Sequence, residues 1–425
     1  MSEKVFALVD ANNFYCSAER VFRPELNNRP VVVLSNNDGN LISLSEESKR
    51  IEGLKMGDAF HKVRSLCQAK GVTVFSSNYA LYGDMSRRVT ETLQSFTPEL
   101  EVYSIDESFI SLSGFEKSTL TAYSHQIRQT VHQHTGIPVS VGVAPTKVLA
   151  KLCNRYAKKH RETSKGVTNF FDFPDFDSIL QETDIRAVWG LGHHSTEKLR
   201  QHKIVTAYDL KLADEKLVQA LLTVVGRRIA REIRGESCLE IEEVSPDKKQ
   251  ILSSRSFGRS VVELDEIQEA LSTHVTTVAE RLRKQNSITK ALSVYIQAHP
   301  AKNPEPYYKS LTVTLPTATA STQKLITAAS KAMSEIFRRG YIYKRVGVML
   351  MDLQGKDEAQ MDFFAANDTP VDDKLMKAMD LVNKMQGRGS IKFASSGTDA
   401  AWEMKSEMKS PNYSTKWSDL LEVDI

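Results

Sequence analysis

The chain has 425 residues, and its 56 Lys and Arg nearly balance its 53 Asp and Glu. That length gives room for two to four domains with cores of their own. The four cysteines, Cys16, Cys67, Cys153 and Cys238, lack paired spacing, which excludes a zinc pattern and a disulfide framework and points to a reducing compartment. There is no signal peptide, no apolar run of membrane length, no internal repeat and no low-complexity segment, so a soluble cytoplasmic protein without a membrane partner is expected.

The first element is Val5-Phe6-Ala7-Leu8-Val9-Asp10, an apolar run that stops at an acid and is followed by Asn12, Asn13, Phe14 and Tyr15. It reads as a buried strand whose end reaches a surface site, with a helix opening after it. Pro30-Val31-Val32-Val33-Leu34 is a second buried-type strand. Asn36-Asn37-Asp38-Gly39-Asn40 then forms a turn, and Leu41-Ile42-Ser43-Leu44 returns from it. Residues 43–50 gather hydroxyls and two cations, which suit either a phosphate cradle or an exposed helix start. Helical spacing follows over 82–96 and 120–134, and between them residues 102–112 read as one strand carrying Asp106 and Glu107. Adjacent residues on a strand point to opposite faces unless the backbone bends. If this strand lies beside the first, Asp10, Asp106 and Glu107 converge. Three carboxylates that close need cations between them. Mg²⁺ takes such oxygen ligands together with substrate phosphates, which suggests two-metal phosphoryl transfer. Residues 138–144 form a further strand, and a helix over 148–159 follows with Lys147, Lys151, Arg155, Lys158 and Lys159 facing a triphosphate or solvent. To this point the pattern is an α+β domain with an antiparallel or mixed sheet.

From Asp184 the character changes. Trp189-Gly190-Leu191-Gly192 joins a short helix to one bearing Lys198, and Val225-Gly226-Arg227-Arg228 comes later. Glycines let backbone N–H groups approach a phosphate at a helix start, the logic of a helix-hairpin-helix grip on DNA. His193 and His194 read as turn residues, because no partner spacing supports a metal site. An acidic linker ends at Pro246. Between 244 and 352 there are 16 basic and 9 acidic side chains, a net of +7, arranged as strand, helix, strands, helix, strand. This predicts a small sheet with helices on one face and basic residues, Arg255 and Arg259 among them, on the other face or its edge. From 353 onward 9 basic side chains meet 13 acidic ones, a net of −4, which suits a protein partner. Gln360, Met361, Asp362, Phe363 and Phe364 form a short apolar cluster, either a docking peptide or a packing segment, and residues 374–385 are amphipathic.

Several of these motifs, in this order, resemble the Y-family DNA polymerases, and in particular the branch that acts in SOS mutagenesis. The resemblance is carried by Val9-Asp10 through Phe14-Tyr15, Leu34-Ser35-Asn36-Asn37-Asp38-Gly39, Phe75-Ser76-Ser77-Asn78-Tyr79 and Tyr103-Ser104-Ile105-Asp106-Glu107. Thr146-Lys147, Trp189-Gly190-Leu191-Gly192, Gly387-Arg388-Gly389 and Ser410-Pro411 to Leu420-Leu421 continue it. It implies an α+β multidomain right hand. A ferredoxin-like palm would span 1–30 and 81–170, small fingers 31–80, a helix-hairpin-helix thumb 171–240 and an α/β little finger 244–353. A clamp- and partner-binding tail would follow at 354–425.

The resemblance also implies roles. Asp10, Asp106, Glu107 and the Ala11 carbonyl fall at the positions that hold two Mg²⁺ ions. Tyr15 falls at the steric gate that rejects a ribose 2′-OH. Ser43, Lys49 and Lys158 fall at triphosphate contacts for an incoming dNTP. The stretch 46–53 is one residue longer than the family pattern and places Glu46 where relatives carry Tyr or a small residue, which leaves both Lys49 and Arg50 as candidates. Gly190, Gly192, Lys198, Arg255 and Arg259 would contact DNA, and Gln360, Met361, Phe363 and Phe364 a sliding clamp. The implied function is error-prone translesion synthesis on a primer-template in the SOS response, with a processed UmuD-type (UmuD′) dimer and a RecA filament as partners, in the bacterial cytoplasm at the nucleoid. Two other readings remain on the residues alone. One is a non-catalytic checkpoint subunit, which the intact carboxylates oppose. The other is a metal nuclease, which lacks a histidine base and gives the thumb no role.

Overall fold

The computed structural model describes residues 3–243, 246–356, 368–387, 389–397, 402 and 404–421. The chain divides into two units, residues 1–245 with 407–425, and residues 246–406.

The first unit is built on β1 (Phe6–Ala11), buried along its whole length. Its other strands are β2 (Val31–Leu34), β3 (Leu41–Leu44), β4 (Thr73–Ser76), β5 (Leu100–Val102), β6 (Glu107–Ser111), β7 (Val139–Ala144) and β8 (Val167–Asn169). One sheet has the order β5-β6-β1-β7-β8, and a second has the order β3-β2-β4. In the first sheet β1 runs antiparallel to both β6 and β7.

Side-chain alternation decides what each face of β1 meets. Val5, Ala7, Val9 and Ala11 pack with Leu81, Tyr82, Met85 and Ile127 from the helices Tyr79–Gln94 and Leu120–Thr135. Phe6 and Leu8 pack with Val148, Leu149 and Leu152 of the helix Lys147–Lys159. Asp10 continues this second row. The helix lies unusually close to the sheet at Gly142, where an added Cβ would stand 2.2 Å from the Asn154 amide nitrogen. A side chain there would push the helix, and the lysines it carries, away from the strand ends.

The expected single strand over 102–112 is corrected. The chain forms a hairpin, in which β5 pairs antiparallel with β6. The Ser104 hydroxyl accepts from the Asp106 and Glu107 amides at 3.3 and 3.1 Å and closes the turn. Ser prefers this side-chain-to-backbone bonding to a ladder position.

Helices Asp177–Glu182, His193–Gln201, Ala207–Leu212 and Glu215–Ile233 share the core of the Lys147–Lys159 helix. Glu232, with no exposed surface, accepts from the amides of Val148, Cys238 and Leu239. It thereby caps the N-terminus of that helix.

The second unit holds a four-stranded sheet of β9 (Ile251–Val261), β10 (Ser287–Ala298), β11 (Tyr308–Thr319) and β12 (Tyr343–Gly355), in the order β11-β10-β12-β9. Helices Leu264–Lys284 and Thr322–Ile336 bury one face of it. The expected tail at 354–425 is not one piece. The helix Pro370–Met385 joins the second unit through Asp380 and Arg283 at 2.7 Å, whereas residues 407–421 pack on the first.

Candidate active site

Register brings the acids together. Asp10 is the cross-strand partner of Glu107, and the Ala11 amide donates to the Asp106 carbonyl at 2.8 Å. All three predicted carboxylates therefore gather at one end of the β1–β6 pair. The bend at Ser104 is what places Asp106 beside this end, and the Ser104 hydroxyl donates to its carboxylate at 2.6 Å.

Lysines of the close-packed helix meet two of the acids. Lys158 pairs with Asp10, and Lys151 with Glu107 at 3.0 Å. Asp10 is only 8% exposed. Burial pushes its carboxyl up to about 6 against the lowering pull of Lys158, with Glu107 and Asp106 adding to the rise. Lys151 also lies over the rings of Tyr103 and Trp189, and the Trp189 indole donates to the Tyr103 hydroxyl at 2.9 Å. This Lys151–Tyr103–Trp189 cluster ties the helix-hairpin to Glu107. No local pattern pairs Lys151 with this cluster, because its links join residues 44 and 86 positions apart.

Among the described residues no set of three or more acidic, His or Cys side chains closes into a metal site. The donor chemistry still fits a hard divalent ion, because the three groups offer carboxylate oxygens only.

Tyr15 stacks on Tyr82 at 4.5 Å and 18° and meets Tyr79 edge-on. Burial, then Tyr79 and Asp106, pushes its phenol above the usual value. Ser43 is buried, with its hydroxyl 3.5 Å from the Asn13 carbonyl. Lys49 donates to the Asn13 side chain at 2.6 Å and to Glu46 at 2.9 Å, and Arg161 lies 3.4 Å from Glu46. Arg50 is exposed at the end of that short helix.

The remaining expected residues are dispersed. Gly190 takes φ +87, and a Cβ there would stand 2.8 Å from Ile229. Gly192 has ordinary extended backbone and caps the helix His193–Gln201. Lys198 is exposed, 3.5 Å from the Leu221 carbonyl. In the second unit Arg255 is the cross-strand partner of Val346. It therefore shares the helix-covered side of the sheet and is exposed on β9, the edge strand, which is the edge position of the two that the sequence left open. Arg259 is paired with Glu266. The open face carries Ser254, Ser256, Tyr295, Ser310 and Arg345, more hydroxyl than cation. Gln360, Met361, Phe363 and Phe364 lie outside the described residues.

Solved structures share this architecture. A Y-family DNA polymerase chimera of Dbh and Dpo4 superposes with a TM-score of 0.66 at 18% identity, covering 83% of this chain and 99% of its own. DinB from Sulfolobus solfataricus superposes at 0.51 and 19%, over 82% and 98%. At these identities the likeness shows the fold alone, that of the Y-family polymerases.

Sequence comparison narrows it. The impB/mucB/samB family matches residues 9–155, its C-terminal domain residues 248–363, and a domain of unknown function residues 373–423. Protein UmuC of Salmonella typhimurium is 41% identical over 99% of this chain and all of its own length. Protein ImpB of the same organism is 40% identical over 98% and 99%. A DNA polymerase IV of Moorella thermoacetica is 27% identical over 92% and 96%. The chain belongs to the UmuC/MucB/ImpB family.

Proposed function

We propose that Asp10, Asp106 and Glu107 are the catalytic carboxylates of this translesion polymerase. The observation that carries the reading is the register that sets Asp10 opposite Glu107, with Asp106 on the adjoining turn. These three side chains and the Ala11 carbonyl would hold two Mg²⁺ ions. Such ions, when bound, activate the attacking oxygen and stabilise the leaving group. The reaction joins the primer 3′-OH to the α-phosphate of a dNTP and releases pyrophosphate. Lys158 and Lys151 keep Asp10 and Glu107 oriented toward the strand ends. Lys158, with Ser43, Lys49 and the neighbouring Arg161, forms the cationic side that receives the triphosphate. The Tyr15 ring, backed by Tyr82, lies under the sugar and excludes a 2′-OH.

The helix-hairpin at Gly190 and Gly192 with Lys198, and the basic second unit with Arg255 and Arg259, grip the primer-template backbone. Residues 360–364 dock on a sliding clamp. A UmuD′-type dimer and a RecA filament are the protein partners, in the bacterial cytoplasm at the nucleoid. Among the described residues no helix is long and apolar enough to cross a membrane.

The test is primer extension past an abasic site with Mg²⁺ and dNTPs, with and without the UmuD′-type partner and RecA filament. Asp106→Ala should abolish extension and leave DNA affinity within about twofold, because phosphate contacts carry that affinity. Normal extension by this variant would overturn the metal assignment. No extension by the parent chain under any condition, with DNA binding intact, would favour a non-catalytic checkpoint subunit.

A further inference from the structure

Residues 407–416 pack against β4, the start of the helix Tyr79–Gln94 and the helix Phe14–Phe22 of the first unit. Met408 accepts from the Ser76 amide at 3.0 Å and donates to the Ser76 hydroxyl at 2.9 Å, and Lys409 bridges Ser76 in parallel. This segment therefore makes an isolated parallel bridge at the outer edge of β4. The buried Asn78 side chain donates at 3.1 Å to the Ser410 carbonyl, the Ser410 hydroxyl and the Pro411 carbonyl. Tyr413 stacks on Phe22 at 4.9 Å and 10°.

One contact leads toward the active site. The Ser410 hydroxyl donates to Glu19 Oε1 at 3.0 Å, and the same oxygen accepts from the Tyr82 phenol at 2.7 Å. Glu19 has no exposed surface, and its other oxygen has no partner among the described residues. A buried carboxylate held by two donors is costly to leave with one. Tyr82, anchored by this carboxylate, is the ring on which Tyr15 stacks.

We propose that residues 407–416 are a strap that fixes the Tyr15 gate, with Ser410 as its positioning residue for sugar selection. This rests on the reading of Tyr15 as the gate. A steric gate discriminates only as far as its ring cannot retreat. Ser410, through Glu19 and Tyr82, supplies the backing that prevents retreat. The segment lies within the matched domain of unknown function, and the proposal gives this part of it a task inside the polymerase.

The experiment is single-nucleotide incorporation by the full chain, comparing kcat/KM for a dNTP and the matching rNTP. Ser410→Ala should raise relative rNTP use roughly fivefold, the scale of one typical intramolecular hydrogen bond, with kcat for the dNTP nearly unchanged. Ser410→Thr, which keeps the hydroxyl, should restore the parent ratio. Tyr413→Leu loosens the strap elsewhere and should move the ratio the same way, which covers poor folding of the alanine variant. Tyr15→Ala is the reference. An unchanged ratio there overturns the gate reading and the strap with it. A changed ratio there, with both strap variants at the parent ratio and only their melting temperatures lowered, overturns the strap alone.

Discussion

At the scale of single residues, Glu46 stands where the resemblance leads one to expect Tyr or a small residue. Its carboxylate accepts from Lys49 and the Asn13 side chain, both at 2.9 Å, with Arg161 at 3.4 Å. Burial pushes this carboxyl up, but the hydrogen bonds from Lys49 and Asn13 and the charge of Arg161 outweigh it and hold it below the usual range. It is therefore a charged internal anion sitting among the groups proposed to receive a triphosphate. Partly exposed pairs of this kind contribute on the order of 0.2–1 kcal/mol each. Glu46→Ala should lower the dNTP KM about threefold at unchanged kcat, measured by steady-state incorporation. A higher KM would mean that Glu46 holds Lys49 and Arg161 in place. The acids themselves were legible because each ends or interrupts an apolar run. Their lysine partners were not, because Lys151 and Lys158 reach them only through the close approach permitted at Gly142.

At the scale of elements, the two glycines of the helix-hairpin divide in their roles. Gly190 has φ +87, a backbone conformation that strains any L side chain, and a Cβ there would also crowd the tip of Ile229, whereas Gly192 is in extended backbone with nothing near it. Gly190→Ala should destabilise the first unit by roughly 1–3 kcal/mol, and Gly192→Ala by much less. Thermal melts of both variants check this, and equal shifts would refute it. The sequence pattern located this turn and most helices and strands within a few residues. It failed over 102–112 because β-branched and aromatic residues flank a turn made by one serine hydroxyl. Apolar periodicity is blind to such a contact.

At the scale of the molecule, the second unit carries its own sheet, its own buried core and its own ion pairs, such as Arg283–Asp380 and Lys324–Asp368. A fragment of residues 246–406 should therefore unfold cooperatively on its own in a thermal melt followed by circular dichroism. Absence of a transition would show that its fold depends on the rest of the chain. The boundary near 245 was legible from the acidic linker and Pro246. The division of the tail between two units was not, because Ser410 and Asn78 are 332 positions apart and no local pattern couples them.

That separation also bears on how the protein is made. Asp10, Tyr15 and Tyr82 leave the ribosome long before Ser410 does, so the five-stranded sheet can assemble while the edge of β4 still waits for its neighbour. Contacts of such long sequence separation form late. A chain cut short by stalled translation or clipped by a protease before Ser410 would keep Asp10, Asp106 and Glu107, the proposed catalytic carboxylates, and lack the strap proposed to back Tyr15. Synthesis through this segment would therefore separate a polymerase that merely adds nucleotides from one that selects their sugar.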